Sequence, residues 1–153
     1  PLTGLVASVD SVRLAIMLIG ADRLKSLTNI LLMSEMVGDK HVLLEQIMVR
    51  AKHAEFFALR RGYNNQDKYF LAGMLSMMDV CTGMKLDIVL GELPLPNEFI
   101  NAIVHRSGRV GQTLDLVEHY SHNQEIEERQ NLVDLKDTYL NAIKWVDDFL
   151  IAV

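Results

Sequence analysis

The stretch of sequence that decides the fold class reads FLAGMLSMMDVC and spans residues 70–81. Only Ser76 and Asp79 interrupt an otherwise apolar or small run. A helix that is apolar nearly all round is buried. The stretch therefore predicts the central helix of a compact domain, beginning at Asn64 or Asn65 and ended by Gly83.

Composition is that of a single helical domain. The chain has 153 residues, with 50% hydrophobic but only 7% aromatic residues, so aliphatic side chains and eight Met must fill the core. The net charge of -5 argues against a nucleic-acid partner. No apolar run reaches the roughly 18 residues of a membrane span, and no signal peptide is visible. The chain starts at Pro1, so we expect a piece of a longer protein.

Residues typical of helix starts and helix ends also occur on both sides of the central stretch. Asp, Asn and Pro precede apolar runs at helical spacing, and Gly follows them, whereas no segment alternates as a strand does. We therefore predict an all-α fold, a compact bundle of about seven or eight helices forming one domain over residues 1–153. The predicted helices cover about residues 10–20, 22–38, 39–61, 64–83, 86–90, 97–106, 110–120 and 126–150.

The last predicted helix carries one long apolar stripe. Its spacing near 3.5 suits either packing back on the bundle or pairing with a second copy in a homodimer. The polar segment 121–131 would join this helix to the bundle. The stripe consists of Leu132, Leu135, Tyr139, Ile143, Val146 and Leu150.

Three segments, in order, resemble HDOD domains, a degenerate branch of the HD superfamily of metal-dependent phosphohydrolases. They are SVDSVRLAIMLIGADRLKSL at 8–27, YFLAGMLSMMDV at 69–80 and YLNAIKWVDDFL at 139–150. The last is similar to the C-terminal helix of the HDOD branch that follows an EAL-type cyclic-di-GMP phosphodiesterase domain. The resemblance implies a bacterial signal-transduction module whose partner is another protein or an EAL-type domain in the same polypeptide. The chain has a single Cys, Cys81, which is typical of proteins in a reducing cytoplasm. Because Cys81 lies in the apolar run, we expect an unreactive thiol in the core.

The HD metal ligands are missing when the resemblance is followed residue by residue. The family's His falls on Ser76 and its Asp on Met77, Asp79 falls on a later glycine, and the upstream His falls near Arg50. Such hydrolases need imidazole and carboxylate ligands on divalent metals. We therefore predict a regulatory module that is not an enzyme and carries no cofactor. The alternatives are a small-molecule or nucleotide sensor using the vestigial pocket and a residual metal-dependent phosphohydrolase.

Gly73, Ser76 and Asp79 lie on one face of the predicted helix at i, i+3 and i+6. One interpretation is a vestigial pocket, lined also by Arg50. The other is a small-residue face that lets a neighbouring helix approach closely. A carboxylate late in a helix and in an apolar run is unfavourable. Our hypothesis is that Arg50 neutralises Asp79.

Two further groups of residues could bind ligands. Arg106 and Arg109 flank glycines ahead of a predicted helix start, where anions are favoured, although Gly108 also suits a left-handed turn. His119 and His122 could share a metal, but a surface pair without a third ligand is the plainer interpretation.

Overall fold

The structure is a computed structural model that describes residues 40–152. The two helices predicted within residues 10–38, and the proposed cap at Asp39, lie outside this range. Seven helices and no strand occur between residues 40 and 152, which confirms the all-α prediction. They are α1 (Lys40–Arg60), α2 (Gln66–Leu75), α3 (Met78–Thr82), α4 (Leu86–Gly91), α5 (Asn97–Val104), α6 (Gly108–Ser121) and α7 (Arg129–Ala152).

Glycine ends α1 where the sequence predicts. Gly62 has a φ of 68°, a conformation that costs glycine little. The N–H of Tyr63 donates to the Ala58 carbonyl at 2.9 Å, and that of Gly62 donates to Leu59 at 3.0 Å. This pair of hydrogen bonds is a Schellman motif, which satisfies carbonyls left open at the helix end.

The prediction of one unbroken central helix is wrong, because the helix breaks at Ser76 and Met77 between α2 and α3. The Ser76 hydroxyl donates to the Gly73 carbonyl at 2.7 Å, which is the acceptor that the Met77 N–H would use in a continuous helix. The Met77 N–H instead lies 3.4 Å from the Met74 carbonyl. Serine can compete in this way with the helical ladder.

Helix α1 is the centre of the bundle and packs against α2, α6 and α7. At Gly73 the backbones of α2 and α1 come so close that an added Cβ would lie 2.8 Å from the Ala51 Cα. This close approach confirms the small-residue interpretation at Gly73. No helix within the described range is long and apolar enough to cross a membrane.

The C-terminal helix α7 packs back on α1. Leu135 and Val146 of its apolar stripe are fully buried, and so is Ala142, which the predicted stripe did not include. The prediction is wrong at Leu132, which is 43% exposed. The inward position beside Leu135 is taken instead by Asp134, whose charge is paired with arginines of α1, so Leu132 faces outward.

Asp134 is held by the two arginines that end α1. Its carboxylate oxygens lie 3.2 Å from Arg60 Nε and 3.1 Å from Arg61 Nε, although the Arg61 N–H does not point at the acceptor. Arg61 also donates to the Asn131 side chain. In the sequence, Arg60 and Arg61 indicated only the end of a helix. In the structure, they also hold α7 against α1.

Replacing Asp134 by Asn is expected to lower the free energy of unfolding by about 2–3 kcal/mol, because a buried, doubly paired carboxylate is lost. The matched control is Asp137→Asn. Asp137 pairs with Arg60 at 3.2 Å, but both side chains are 46% exposed, and such pairs contribute about 1 kcal/mol or less. Urea denaturation measures both free energies of unfolding. Equal decreases in the two variants would contradict the role given to the buried Asp134 pairs.

A buried ion pair lies beneath the same interface. Lys52 Nζ contacts Glu55 Oε2 at 2.6 Å and lies 4.3 Å from the Trp145 ring centroid of α7. The rings of Phe56 and Phe70 lie 5.3 and 5.4 Å away. Burial raises the pKa of the Glu55 carboxyl, while the hydrogen bond from Lys52 opposes that rise. The ammonium is thus surrounded by one carboxylate and three aromatic faces, which suit a desolvated cation.

Candidate functional site

Arg50 is the centre of the site, at the position where the sequence resemblance puts a metal ligand. Its Nη1 donates to Glu118 Oε1 at 2.8 Å and lies 3.5 Å from the Ser76 hydroxyl. The side chain is 15% exposed. Burial lowers the pKa of the Arg50 guanidinium, and the nearby charge of Arg106 adds to that fall, while Glu118 and Asp79 oppose it. A fixed positive charge therefore sits here in a poorly hydrated place.

Glu118 joins two candidate residues that the sequence treated as separate. Arg106 Nη2 lies 2.7 Å from both carboxylate oxygens, and its Nε lies 3.2 Å from Oε2. Such forked contacts are the strong form of an arginine–carboxylate pair. The same Arg106 donates to the Ile103 carbonyl. Two guanidinium groups thus share one carboxylate across α1, α6 and the loop before α6.

The hypothesis that Arg50 forms an ion pair with Asp79 is wrong. Among the described residues, Asp79 has no cation within ion-pair distance, and Arg50 is bonded to Glu118 instead. Asp79 Oδ1 accepts the Val80 N–H at 2.9 Å. The physical reason is the helix break, which puts Asp79 in the first turn of α3, where the helix dipole favours a carboxylate. The Arg50 charge still interacts with Asp79 at longer range.

Ser76 and Met77 are both buried beside Arg50. Ser76 is 4% exposed and Met77 is 5% exposed. The Ser76 hydroxyl is used within its own helix, as its bond to Gly73 shows. The structure therefore brings Arg50, Ser76 and Met77 together and leaves Asp79 at their edge.

The second proposed pair of residues, Arg106 and Arg109, does not form one anion site. Arg106 is bound to Glu118, whereas the Arg109 guanidinium lies 4.7 Å above the ring of Tyr63. Left-handed conformations occur at both Arg106, with φ of 56°, and Gly108, with φ of 65°. The loop is thus held by these contacts and turns.

A cavity of about 370 Å³ opens beside Arg50, between α1, α6 and α7. Met77 from the helix break lines it, together with His53 of α1 and Tyr139 of α7. His53 is 1% exposed, and its ring lies 5.3 Å from that of Tyr139. The cavity therefore reaches from a charged wall at Arg50 to an aromatic wall.

His53 is neutral at physiological pH. Its Nε2 lies 2.9 Å from the Leu135 carbonyl, which can only accept, so Nε2 carries the proton. The buried Nδ1 has no hydrogen-bond partner in the described part of the chain. Burial lowers the pKa of His53 to about 4, against a smaller rise from the Leu135 bond.

The remaining candidates are structural. His119 Nδ1 contacts the Asp115 carbonyl of its own helix at 2.7 Å, and its side chain is 41% exposed, in agreement with the surface interpretation. Cys81 is buried, and burial raises the pKa of its thiol. Within residues 40–152, no group of three or more His, Cys, Asp or Glu side chains could hold a metal ion.

Sequence reasoning missed Glu118 and gave His53 no role. Arg50 and Glu118 are 68 residues apart, and Arg106 and Glu118 are 12 apart, so no helical spacing connects them. A lone histidine on an apolar helix face gives no sign of its partner. Only packing of α6 and α7 on α1 brings these groups to the cavity.

The fold and site define an all-helical bundle domain with a cationic cluster beside a small cavity. In sequence, the chain is 26% identical over 151 residues to the uncharacterized protein YuxH of Bacillus subtilis (strain 168), covering 93% of this chain and 37% of that protein. It is 25% identical over 150 residues to the cyclic di-GMP phosphodiesterase CdgJ of Vibrio cholerae serotype O1, covering 92% and 35%. The chain thus spans little more than a third of either relative. No family model matches it, and no solved structure matches it.

Proposed function

We propose that the chain is an HDOD-type regulatory module of bacterial cyclic-di-GMP signalling that acts through contacts with an EAL-type domain rather than by catalysis. Three ordered sequence segments and the similarity to a cyclic di-GMP phosphodiesterase support this assignment. The observation that carries the non-catalytic part is the ion pair of Arg50 with Glu118, because it fixes a cation where an HD metal would need ligands.

An exposed apolar segment supports the proposal of a contact surface. Within residues 80–88, Val80 is 62% exposed, Met84 48% and Ile88 50%. The three residues lie close together in sequence, on α3, on the turn after it and on α4, next to the helix break. Exposed apolar clusters commonly mark interaction sites. We place the contact with the EAL-type domain on this segment.

The test uses the chain and the EAL-type domain of its polypeptide, purified separately and titrated in a calorimeter. Ile88→Asp is expected to weaken their association by about tenfold or more, because a charge would be buried at the interface. Leu140→Asp is the matched control: Leu140 is 55% exposed but lies on α7, which packs against α1 and α6. Equal weakening by both variants would contradict the assignment of the surface.

A second arm addresses catalysis. The isolated chain, supplied with Mn²⁺ or Mg²⁺, is incubated with cyclic di-GMP and simple phosphoesters. No turnover above background is expected, since a serine hydroxyl and a methionine thioether are poor ligands for these hard cations. Metal-dependent turnover by the wild-type chain would replace this proposal with the residual phosphohydrolase.

A further inference from the structure

Two arginines compete for one carboxylate in the cluster beside the cavity. Arg50 and Arg106 both pair with Glu118, so two positive charges share one negative charge. The three side chains are only 15%, 24% and 20% exposed, which limits screening by water. Glu45 also lines the cavity but is solvent-exposed at its rim. Asp79 acts on Arg50 only at longer range. Arg50 therefore shares its one close carboxylate with Arg106 and can take up a second anion at short range.

Arg50 has donors to offer such an anion. Its hydrogen bonds to the other described side chains all leave from Nη1. Nε and Nη2 make no hydrogen bond to another residue in the described part of the chain, and the planar guanidinium fork matches the geometry of a carboxylate or phosphate. Because Arg50 itself lines the cavity, a ligand inside can reach it without unfolding any helix.

Part of the cavity wall suits an apolar, planar body, whereas Gln46, Ser121 and His122 contribute polar groups elsewhere in the lining. Val49, Met77 and Ile143 supply aliphatic and thioether surface, and His53 and Tyr139 supply rings. The volume of about 370 Å³ lies at the small end of ligand pockets. It accommodates on the order of ten non-hydrogen atoms, since one water in the liquid occupies about 30 Å³.

We propose that this cavity binds a small organic anion, with one carboxylate or phosphate group held by Arg50 and a planar apolar body against Met77, His53 and Tyr139. The proposal is independent of the contact with an EAL-type domain, because it concerns occupancy of a cavity within this chain. Entry of an anion places it in competition with Glu118 for Arg50.

The experiment is calorimetric titration of the purified chain with small aromatic carboxylates, represented by benzoate, and with small aromatic phosphates, represented by phenyl phosphate. Benzamide is the neutral match for benzoate. We expect at least one anion type to bind at millimolar or lower concentration, and benzamide to bind about tenfold more weakly than benzoate if the carboxylate is the preferred group. The two arms distinguish a carboxylate from a phosphate ligand.

Two variants with opposite expected effects separate recognition from general damage. Arg50→Gln removes the receiving group and is expected to weaken binding by about tenfold or more. Glu118→Gln removes the competing carboxylate and is expected to strengthen binding several-fold. Arg109→Gln, which alters the arginine over Tyr63, serves as the unaffected control. Failure of all the anions to bind, or weakening by Glu118→Gln as large as that by Arg50→Gln, would overturn the proposal.

Discussion

Replacing Gly111 by Ala is expected to lower the free energy of unfolding by about 3 kcal/mol or more, the upper end of the cost of overpacking. An added Cβ at Gly111 would lie 2.1 Å from the carbonyl carbon of Arg106 and 2.5 Å from its oxygen. These are backbone atoms, so the loop before α6 has to move. The loop carries Arg106, and its displacement also strains the bonds of that arginine to Glu118.

Gly91→Ala is the matched control for this substitution. Gly91 also lies in a helix, at the end of α4, but the described residues leave the space around its added Cβ open to 4 Å. Alanine is the better helix former, so this variant is expected to change stability by at most about 1 kcal/mol, in the stabilising direction. Thermal and urea denaturation compare the two, and a small effect of Gly111→Ala would show that the loop relaxes without cost.

Acidification from pH 7 to 4.5 is expected to cost the wild-type chain about 2–3 kcal/mol of stability through His53 alone. The pKa of His53 falls from the usual 6.5 to about 4 on folding. The unfolded chain therefore binds the proton first, and stability is lost as the pH falls from 6.5 toward 4. Protonation would put an N–H on the buried Nδ1, which has no acceptor among the described residues.

His53→Gln removes this titration, so its stability is expected to depend less on pH by the same amount. Both proteins are denatured with urea at several pH values. The difference between their free energies of unfolding removes the contribution of the carboxylates that both proteins contain. His119→Gln, at a histidine whose side chain is 41% exposed, is the control for replacing a histidine by glutamine. Parallel curves for the wild type and His53→Gln would contradict the burial of a neutral imidazole.

Helix ends were the most predictable part of the fold. Gly62 and Gly83 end α1 and α3 in left-handed conformations, and Pro96 immediately precedes α5. These signals are local, because a positive φ or a missing N–H belongs to one residue whatever packs around it. The helix break at Ser76 also has a local cause, the bond of its hydroxyl to Gly73, but many serines make no such break.

Ionic partners were the least predictable part of the site. The sequence paired Arg50 with Asp79 because the resemblance puts both at the vestigial HD site, whereas packing gave Arg50 to Glu118. Asp134 lies between two residues of the apolar stripe, so nothing in the sequence indicated that it is buried. The structure shows that it pairs with Arg60 and Arg61 where α7 packs on α1. A charged side chain pairs with whichever opposite charge the fold brings within a few ångströms. The separation of two residues in the sequence does not indicate which pairs the fold will bring together.

The sequence by itself determined that the described chain is helical, where most of its helices end, and that its central stretch is buried, since periodicity and backbone preferences are properties of short segments. Only the tertiary structure decided that two arginines share Glu118 beside a cavity, and that His53 lies neutral against α7. Those features depend on the approach of α1, α6 and α7, which come from distant parts of the chain.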